Sequence, residues 1–350
     1  MYKFFVVIVF LCALGVGFFS VEDKDPYALD YNKIAINVPV THTKLLSDKT
    51  FGLGELYLAE DLEVELEKNG FDVRIYAWED TYSNRNLGEG IEFFMRAWPE
   101  LRLPKYHSFV DNDRVSVLFE TIPYQLNEVK NADLIFTGSL KKDKMYKKMG
   151  LNSHFLPQFT RVDEFYYSPK EELKTKLLFV GNVWSLEMIR KTVNYAVVNN
   201  IDIDIYGKGW DELIPLHKRY LIKGEQIRND ELKHYYSSAD IVFNDTRDDM
   251  IEAGFISNRI FDVTASKGFI ISDYIPEIEE IYGDSIPMYK TEEEFVELVN
   301  YYLAHPEERQ EKALKAHQIT IQNFTSDKVI GKMAEIMRNF VEKRREGEDE

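Results

Sequence analysis

The sequence predicts an α/β protein built from two successive open sheets, with helices at its C-terminal end. Three observations predict this fold class. The chain has 350 residues, about twice the length of an ordinary domain. Short apolar segments alternate with longer amphipathic segments along most of it. A polar connection that contains proline, Tyr167–Glu172, divides the two series.

The first half opens with a strand, a helix and a second strand. Lys33–Val38 is apolar and predicts a strand, and Glu55–Asn69 carries leucines on one helical face. Gly70 ends that helix, and Phe71–Tyr76 predicts the next strand. A unit of this kind implies a parallel sheet with a right-handed crossover. After a less regular stretch, 81–113, the pattern resumes, and we predict an N-terminal domain over 30–168. Its further elements are a strand at 115–119, a helix at 124–131, a strand at 133–137 and a helix at 141–149.

The second half repeats the alternation more regularly. We predict a C-terminal domain over 172–335 and a charged tail over 336–350. The predicted strands are 176–180, 201–206, 239–243 and 268–273, with a short one near 221–222, and the predicted helices are 185–199, 229–237, 258–267, 292–304, 306–323 and 327–343.

Charge and cysteine content exclude several classes of function. The net charge of −17 repels phosphate backbones at long range, so we expect no nucleic-acid partner. Cys12 is the single cysteine, which excludes an intrachain disulfide, a cysteine-based zinc site and a thiol nucleophile in the body of the protein.

The first 22 residues form a separate segment. An apolar run at 4–19 follows Lys3, and acidic residues come after it. The run is shorter than a comfortable spanning helix and fits a signal peptide or a short membrane anchor. We therefore expect association with a membrane or the secretory or periplasmic route, with a cytoplasmic face as the alternative if the segment is not a true signal.

Polar residues follow the predicted strands of the second half. Ligands of open parallel sheets bind beyond the carboxyl ends of the strands. The candidate ligand contacts are therefore the strand-end residues Gly181 and Asn182, Gly207–Gly209 with Lys208, Glu225–Ile227, Asn244 and Asp245, and Asp273. Polar strand ends are common in α/β proteins, so this pattern favours binding only weakly.

A glycine and serine loop, followed by Asn258–Asp262, carries more information. The start of a helix offers unpaired N–H donors to an anion. Arg259 can add a bidentate contact to a phosphate, and the carboxylate of Asp262 can accept hydrogen bonds from a ribose. The alternative is an amphipathic core helix with an asparagine cap and an incidental arginine. The residues alone do not decide between the two.

The stretch Asn258–Asp273 resembles the donor-site segment of the group 1 glycosyltransferase superfamily. It is most similar to the spore-maturation glycosyltransferase-like branch, in which an arginine, a phenylalanine and an acid lead into a helix, a glycine and an apolar strand. The similarity covers roughly 176–335 and includes Pro276–Ile278 and His305–Arg309. In the N-terminal half it is limited to the loop with Gly52, Gly54 and Glu55, and to Leu156–Gln158.

The resemblance implies two facing Rossmann-like domains, the glycosyltransferase type B fold, with the nucleotide-sugar held by the second domain. It implies a glycosyltransferase, of the hexosyltransferase kind, that needs no metal or other cofactor. It also implies a glycan, a lipid-linked saccharide or a protein as acceptor. Arg259 and Asp262 match the diphosphate and ribose partners, Gly181 and Arg190 match the first strand–helix unit, and Ile227 would lie along the base.

The sequence also departs from the family pattern. Many members carry two glutamates separated by seven residues; here Asp262 takes the second position and the first falls on Gly254. The Arg and Lys that many members place after the first glycine of this domain are absent, and Asn182 stands near the Arg position. No catalytic base is assigned, although the N-terminal half offers His42, Glu55, Asp80 and His107. The alternatives are a catalytically silent nucleotide- or sugar-binding protein and a nucleotide-sugar epimerase or hydrolase on the same fold.

Overall fold

A computed structural model describes residues 29–38, 54–77, 89–95, 114–183, 185 and 190–347. The apolar segment at 4–19, Gly52, His42, Asp80 and His107 lie outside these residues. Within the described part of the chain, no helix is both long enough and apolar enough to cross a membrane.

The first domain is a sheet of six parallel strands. Its strand order is β2-β1-β3-β4-β5-β6. The predicted strands and helices up to 149 are present, although the helix expected at 124–131 is a single turn. The elements are β1 (Asp30–Val38), α1 (Gly54–Lys68), β2 (Asp72–Ala77), β3 (Glu89–Met95), β4 (Val115–Glu120), α2 (Leu126–Val129), β5 (Leu134–Thr137), α3 (Leu140–Lys148) and β6 (Ser153–Phe155).

Strand β3 was not predicted, and it lies next to β1 near the centre of the sheet. Its sequence includes Glu89 and Glu92, which are typical of an exposed segment, yet both are buried. The hydroxyl of Tyr76 donates to Glu89, and Arg114 donates to Glu92 at 2.7 Å. Buried carboxylates are tolerated when they are paired in this way, and such partners cannot be recognised from the segment itself.

The second domain is also a sheet of six parallel strands, in the order β12-β11-β10-β7-β8-β9. Its last long helices agree with the prediction, and additional short helices precede them. The elements are β7 (Thr175–Val180), α4 (Lys191–Val198), β8 (Asp204–Tyr206), α5 (Trp210–Leu213), β9 (Ile222–Gly224), α6 (Leu232–Ser238), β10 (Ala239–Asn244), α7 (Asp248–Ala253), α8 (Asn258–Ala265), β11 (Ile270–Asp273), α9 (Pro276–Tyr282), β12 (Met288–Tyr289), α10 (Glu292–Ala304), α11 (Pro306–Asn323) and α12 (Ser326–Glu346). Two parallel sheets with flanking helices confirm the predicted fold class.

The last helix, α12, returns to the first domain. Its apolar side chains, including Ile330, Met333 and Met337, are buried in one core with β1, β3 and α1. The predicted boundary between the C-terminal domain and a charged tail, at 335–336, falls inside this helix, whose 3.6-residue apolar spacing continues to the buried Val341.

The chain crosses between the domains twice, and the two crossings lie side by side. The backbone of Thr160 hydrogen-bonds to Phe324 and Ser326 at 3.0 and 2.9 Å. The two chain crossings thus lie at one place, and the hydroxyl of Thr160 there donates to Asp262 of the second domain.

Candidate functional site

The candidate site lies where the strand order of the second sheet reverses. β7 and β10 are neighbours there, and the chain leaves them in opposite directions across the sheet. Open α/β sheets bind ligands in the crevice that such a reversal creates at the carboxyl ends of the strands. β7 ends at Val180 and β10 ends at Asn244, so the residues after these two positions line the crevice.

Arg259, in the first turn of α8, extends into this crevice. Its guanidinium donates to the carbonyl of Val180 and, at 3.2 Å, to the side-chain oxygen of Asn244. It also lies over the ring of Phe179, 5.6 Å from the ring centre. In the described part of the chain, no carboxylate lies within ion-pair distance of it. Arg259 is therefore a positive charge that is positioned by neutral groups.

Arg190, immediately before α4, lies beside Arg259 but is paired differently. Its guanidinium donates to the carboxylate of Asp245 at 2.6 Å and to the carbonyl of Asn182 at 3.0 Å. Arg190 is 7% exposed and Asp245 3%. Burial, opposed by Asp245, lowers the pKa of Arg190 to about 10. The two arginines converge on Gly181, where a Cβ atom would lie 2.9 Å from Arg190 and 3.2 Å from Arg259.

A buried polar network supports the floor of the crevice. Asn244 is fully buried and donates to Ser272 at 2.9 Å, and Thr246 donates its backbone N–H to Asp273 at 2.8 Å. Burial, together with the neighbouring Asp245, raises the pKa of Asp273 to about 7. Asn244, predicted as a ligand contact, therefore has its side chain used inside the protein, where it holds Arg259.

The start of α8 differs in one detail from the predicted asparagine cap. Ser257 is the N-cap, and its hydroxyl accepts from the backbone of Arg259. Asn258 is the first helical residue, and its amide donates to Asp262 at 2.8 Å. The other carboxylate oxygen of Asp262 accepts from the hydroxyl of Thr160, also at 2.8 Å. Burial raises the pKa of Asp262 well above its ordinary range.

Asp262 also lines a cavity between the two domains. The cavity has a volume of about 220 Å³ and is lined from the first domain by Gly54 and Glu55 and from the second by Asn258. The structure thus brings the described part of the predicted N-terminal glycine loop next to the predicted donor segment. Asp61 and Arg161, 3.1 Å apart, line the same cavity.

The remaining predicted residues lie along the side of the crevice. The backbone N–H of Lys208 donates to the side chain of Asn182 at 2.9 Å, whereas the side chain of Lys208 is exposed. Gly207 is needed because a Cβ atom there would lie 2.0 Å from the carbonyl oxygen of Gly181. Ile227 is half-buried in the loop after β9.

From the sequence, two acidic residues of this site were candidates only by their position after strands, and one aromatic residue was not a candidate. Asp245 and Asp273 lie at strand ends, as the predicted residues do, and that position was the available signal. Phe179, buried within β7, lies under both arginines and could not be distinguished from an ordinary core residue. Among the described residues, no group of three or more His, Cys, Asp or Glu side chains is arranged to hold a metal ion.

Comparison with known proteins agrees with this location. Residues 184–335 match the family model described as "Glycosyl transferase-like". The spore protein CgeB of Bacillus subtilis (strain 168) is 25% identical over 228 residues, which cover 60% of this chain and 70% of that protein. The predicted resemblance to the glycosyltransferase superfamily and to its spore-maturation branch is confirmed.

Solved structures agree with the fold. Sucrose-phosphate synthase from Thermosynechococcus elongatus has a TM-score of 0.66 at 10% identity, covering 88% of this chain and 99% of that one. HepE from Anabaena, solved with UDP and glucose, has a TM-score of 0.59 at 11% identity, with 88% and 99% covered. At these identities the likeness establishes the fold, which is the type B fold of two Rossmann-like domains.

Proposed function

We propose that this glycosyltransferase-like chain of type B fold moves a sugar from a nucleotide-sugar donor to a glycan, a lipid-linked saccharide or a protein. The donor would lie in the crevice between β7 and β10, with its diphosphate at Arg259. The acceptor would approach the donor from the first-domain side of the cavity between the domains, where Gly54 and Glu55 lie.

One observation carries the proposal. Arg259 is held by the neutral oxygens of Val180 and Asn244, so its charge is not neutralised by a carboxylate. It lies in the first turn of a helix, where backbone N–H groups add positive potential. An arginine fork matches the paired oxygens of a phosphate. A diphosphate would therefore meet a positioned cation at the edge of the sheet where ligands of this fold bind.

Asp262 is suited to the ribose hydroxyls. Each of its oxygens accepts one hydrogen bond within the protein, and a carboxylate has about four acceptor positions. Asp262 also lines the cavity between the domains, so a ligand bound in that cavity can reach it. We propose that the ribose binds there and that Ile227, on the loop after β9, lies along the base.

We propose that the reaction is metal-independent, because positioned cations can stabilise the charge that develops on the leaving diphosphate. Arg259 supplies this charge directly. The charge of Arg190 is balanced by Asp245, so we propose that Arg190 helps to shape the crevice and does not neutralise the diphosphate.

One observation favours a second candidate, a protein that binds the nucleotide-sugar without transferring it. With Arg190 committed to Asp245 and Gly254 at the position of the first family glutamate, fewer charged groups face the leaving diphosphate than the family pattern provides.

The experiment is a thermal-shift panel of UDP, GDP, ADP, CMP and their sugars on the full chain. We expect one nucleotide and its sugar to raise the melting temperature, and Arg259→Ala to abolish the rise. Arg338→Ala is the matched control, because Arg338 is an exposed residue of α12 that lies over the ring of Phe71 in the first domain. A panel without any response would contradict the proposal. Product analysis with the responding sugar, with and without EDTA, separates transfer from hydrolysis or binding alone and tests the metal independence.

A further inference from the structure

The carboxylate of Glu277 lies directly against Gly254. Glu277 is in the first turn of α9, four residues after the buried strand end Asp273. A Cβ atom on Gly254 would lie 2.3 Å from its Oε1 atom and 2.9 Å from its Cδ atom. Gly254 has φ +79°, a conformation that side chains other than glycine rarely adopt. The carboxylate of Glu277 therefore fills the space that a side chain at position 254 would need. Only glycine at that position leaves room for it.

One oxygen of this carboxylate has no partner. Oε2 is buried and, within the described residues, makes no hydrogen bond. Carboxylate oxygens accept hydrogen bonds and do not donate them, and an unsatisfied buried acceptor is costly. Native structures rarely keep such a group unless a ligand, ion or water completes it.

The position of this oxygen limits what that ligand can be. It lies at the carboxyl edge of the second sheet, as Arg259 does, beside the loop that leads into α8. The first domain closes over the same place, because the hydroxyl of Ser139 donates to the carbonyl of Ala253 and lies 3.3 Å from the position of a Gly254 Cβ. A group bound to this oxygen would therefore lie near a contact between the two domains.

Building on the donor site proposed above, we infer that Glu277 accepts a hydrogen bond from a hydroxyl group of the sugar that the nucleotide carries. When the diphosphate is bound at Arg259, the sugar attached to it would extend toward the first domain. Its hydroxyl groups would supply the hydrogen-bond donors that Oε2 lacks. Many members of the family carry a glutamate at the position of Gly254. Here Glu277 supplies a carboxylate at that place. It is a residue that distinguishes the nucleotide-sugar from the free nucleotide.

The test compares two affinities on the full chain. Calorimetry measures the Kd of the nucleoside diphosphate and of the nucleotide-sugar selected by the thermal-shift panel. In Glu277→Gln we expect the affinity for the nucleotide-sugar to fall roughly tenfold or more, the usual effect of losing a hydrogen bond to a charged group. The affinity for the nucleoside diphosphate should stay within about twofold. Glu280→Gln, an exposed residue on the same helix, is the matched control and should change neither.

A stability measurement separates binding from a structural role. Because the buried oxygen is unpaired, Glu277→Gln should melt at or above the wild-type temperature without ligand. A fall of several degrees, equal losses for both ligands, or no loss for either would overturn the inference. If the wild type binds no nucleotide at all, the proposed function fails; if it binds both ligands and Glu277→Gln does not discriminate, only this inference fails.

Discussion

The buried pair of Arg190 and Asp245 offers a quantitative test of which arginine serves the ligand. Arg190→Met would leave the carboxylate of Asp245, which is 3% exposed, without the guanidinium that now lies 2.6 Å away. Removing one partner of a buried ion pair costs about 3–5 kcal/mol. For a protein with domains of this size, that corresponds to a fall in melting temperature of roughly 10 °C.

Replacing both partners should restore most of that loss, because a neutral pair leaves no isolated charge. Urea unfolding followed by circular dichroism gives the free energies of unfolding for Arg190→Met, Asp245→Asn and the double variant. We expect the single change at Arg190 to be strongly destabilising and the double variant to lie within about 1–2 kcal/mol of wild type.

Nucleotide binding by the same variants completes the test. The double variant should bind the nucleoside diphosphate within about threefold of wild type, since the removed pair has no net charge. An Arg190→Met variant as stable as wild type would refute the structural role of the pair. A double variant that folds but does not bind would show that Arg190 contacts the ligand directly.

Three further predictions concern stability and the shape of the crevice. The pKa of Asp273 is raised from 3.8 to about 7, so its protonated form favours folding. The contribution of this carboxyl to stability should be fully present below pH ~4 and be lost as the pH rises through ~7, by at most ~1.4 kcal/mol per pH unit. Asp273→Asn should flatten this part of the pH profile, and an unchanged slope would contradict the assignment. Gly207→Ala should abolish nucleotide binding while the chain stays folded, because its Cβ would lie 2.0 Å from the carbonyl oxygen of Gly181. Normal binding by this variant would show that the close contact between Gly207 and Gly181 is not needed for the site. Deletion of 326–346 should abolish cooperative unfolding of the first domain, because α12 completes that core; a native-like transition in calorimetry would contradict this.

The alternation of apolar and amphipathic segments was enough to predict both sheets and most of their elements. It failed at β3, where the carboxylates of Glu89 and Glu92 hide a central strand, because their partners Tyr76 and Arg114 lie on other segments. It also could not assign α12, since an apolar helix face shows that a helix is packed but not which domain it packs against.

The candidate site was predicted in its location more than in its contacts. Asn258–Asp262 does begin a helix at the edge of the second sheet, and Arg259 does face the crevice. The sequence did not show that Arg190 is neutralised by a carboxylate while Arg259 is not. This difference depends on Asp245, which is 55 residues away from Arg190 along the chain. The contact between Gly254 and Glu277 likewise depends on two helix ends that only the fold brings together.

The measurement that tests the central assignment most directly compares nucleoside diphosphate with nucleoside monophosphate. With the distal phosphate bound by Arg259, wild type should bind the diphosphate of the responding nucleoside at least tenfold more tightly than the monophosphate. In Arg259→Ala that preference should fall to within about threefold, while the affinity for the monophosphate changes little. A preference that survives Arg259→Ala would show that the diphosphate binds elsewhere and would contradict the proposed donor site.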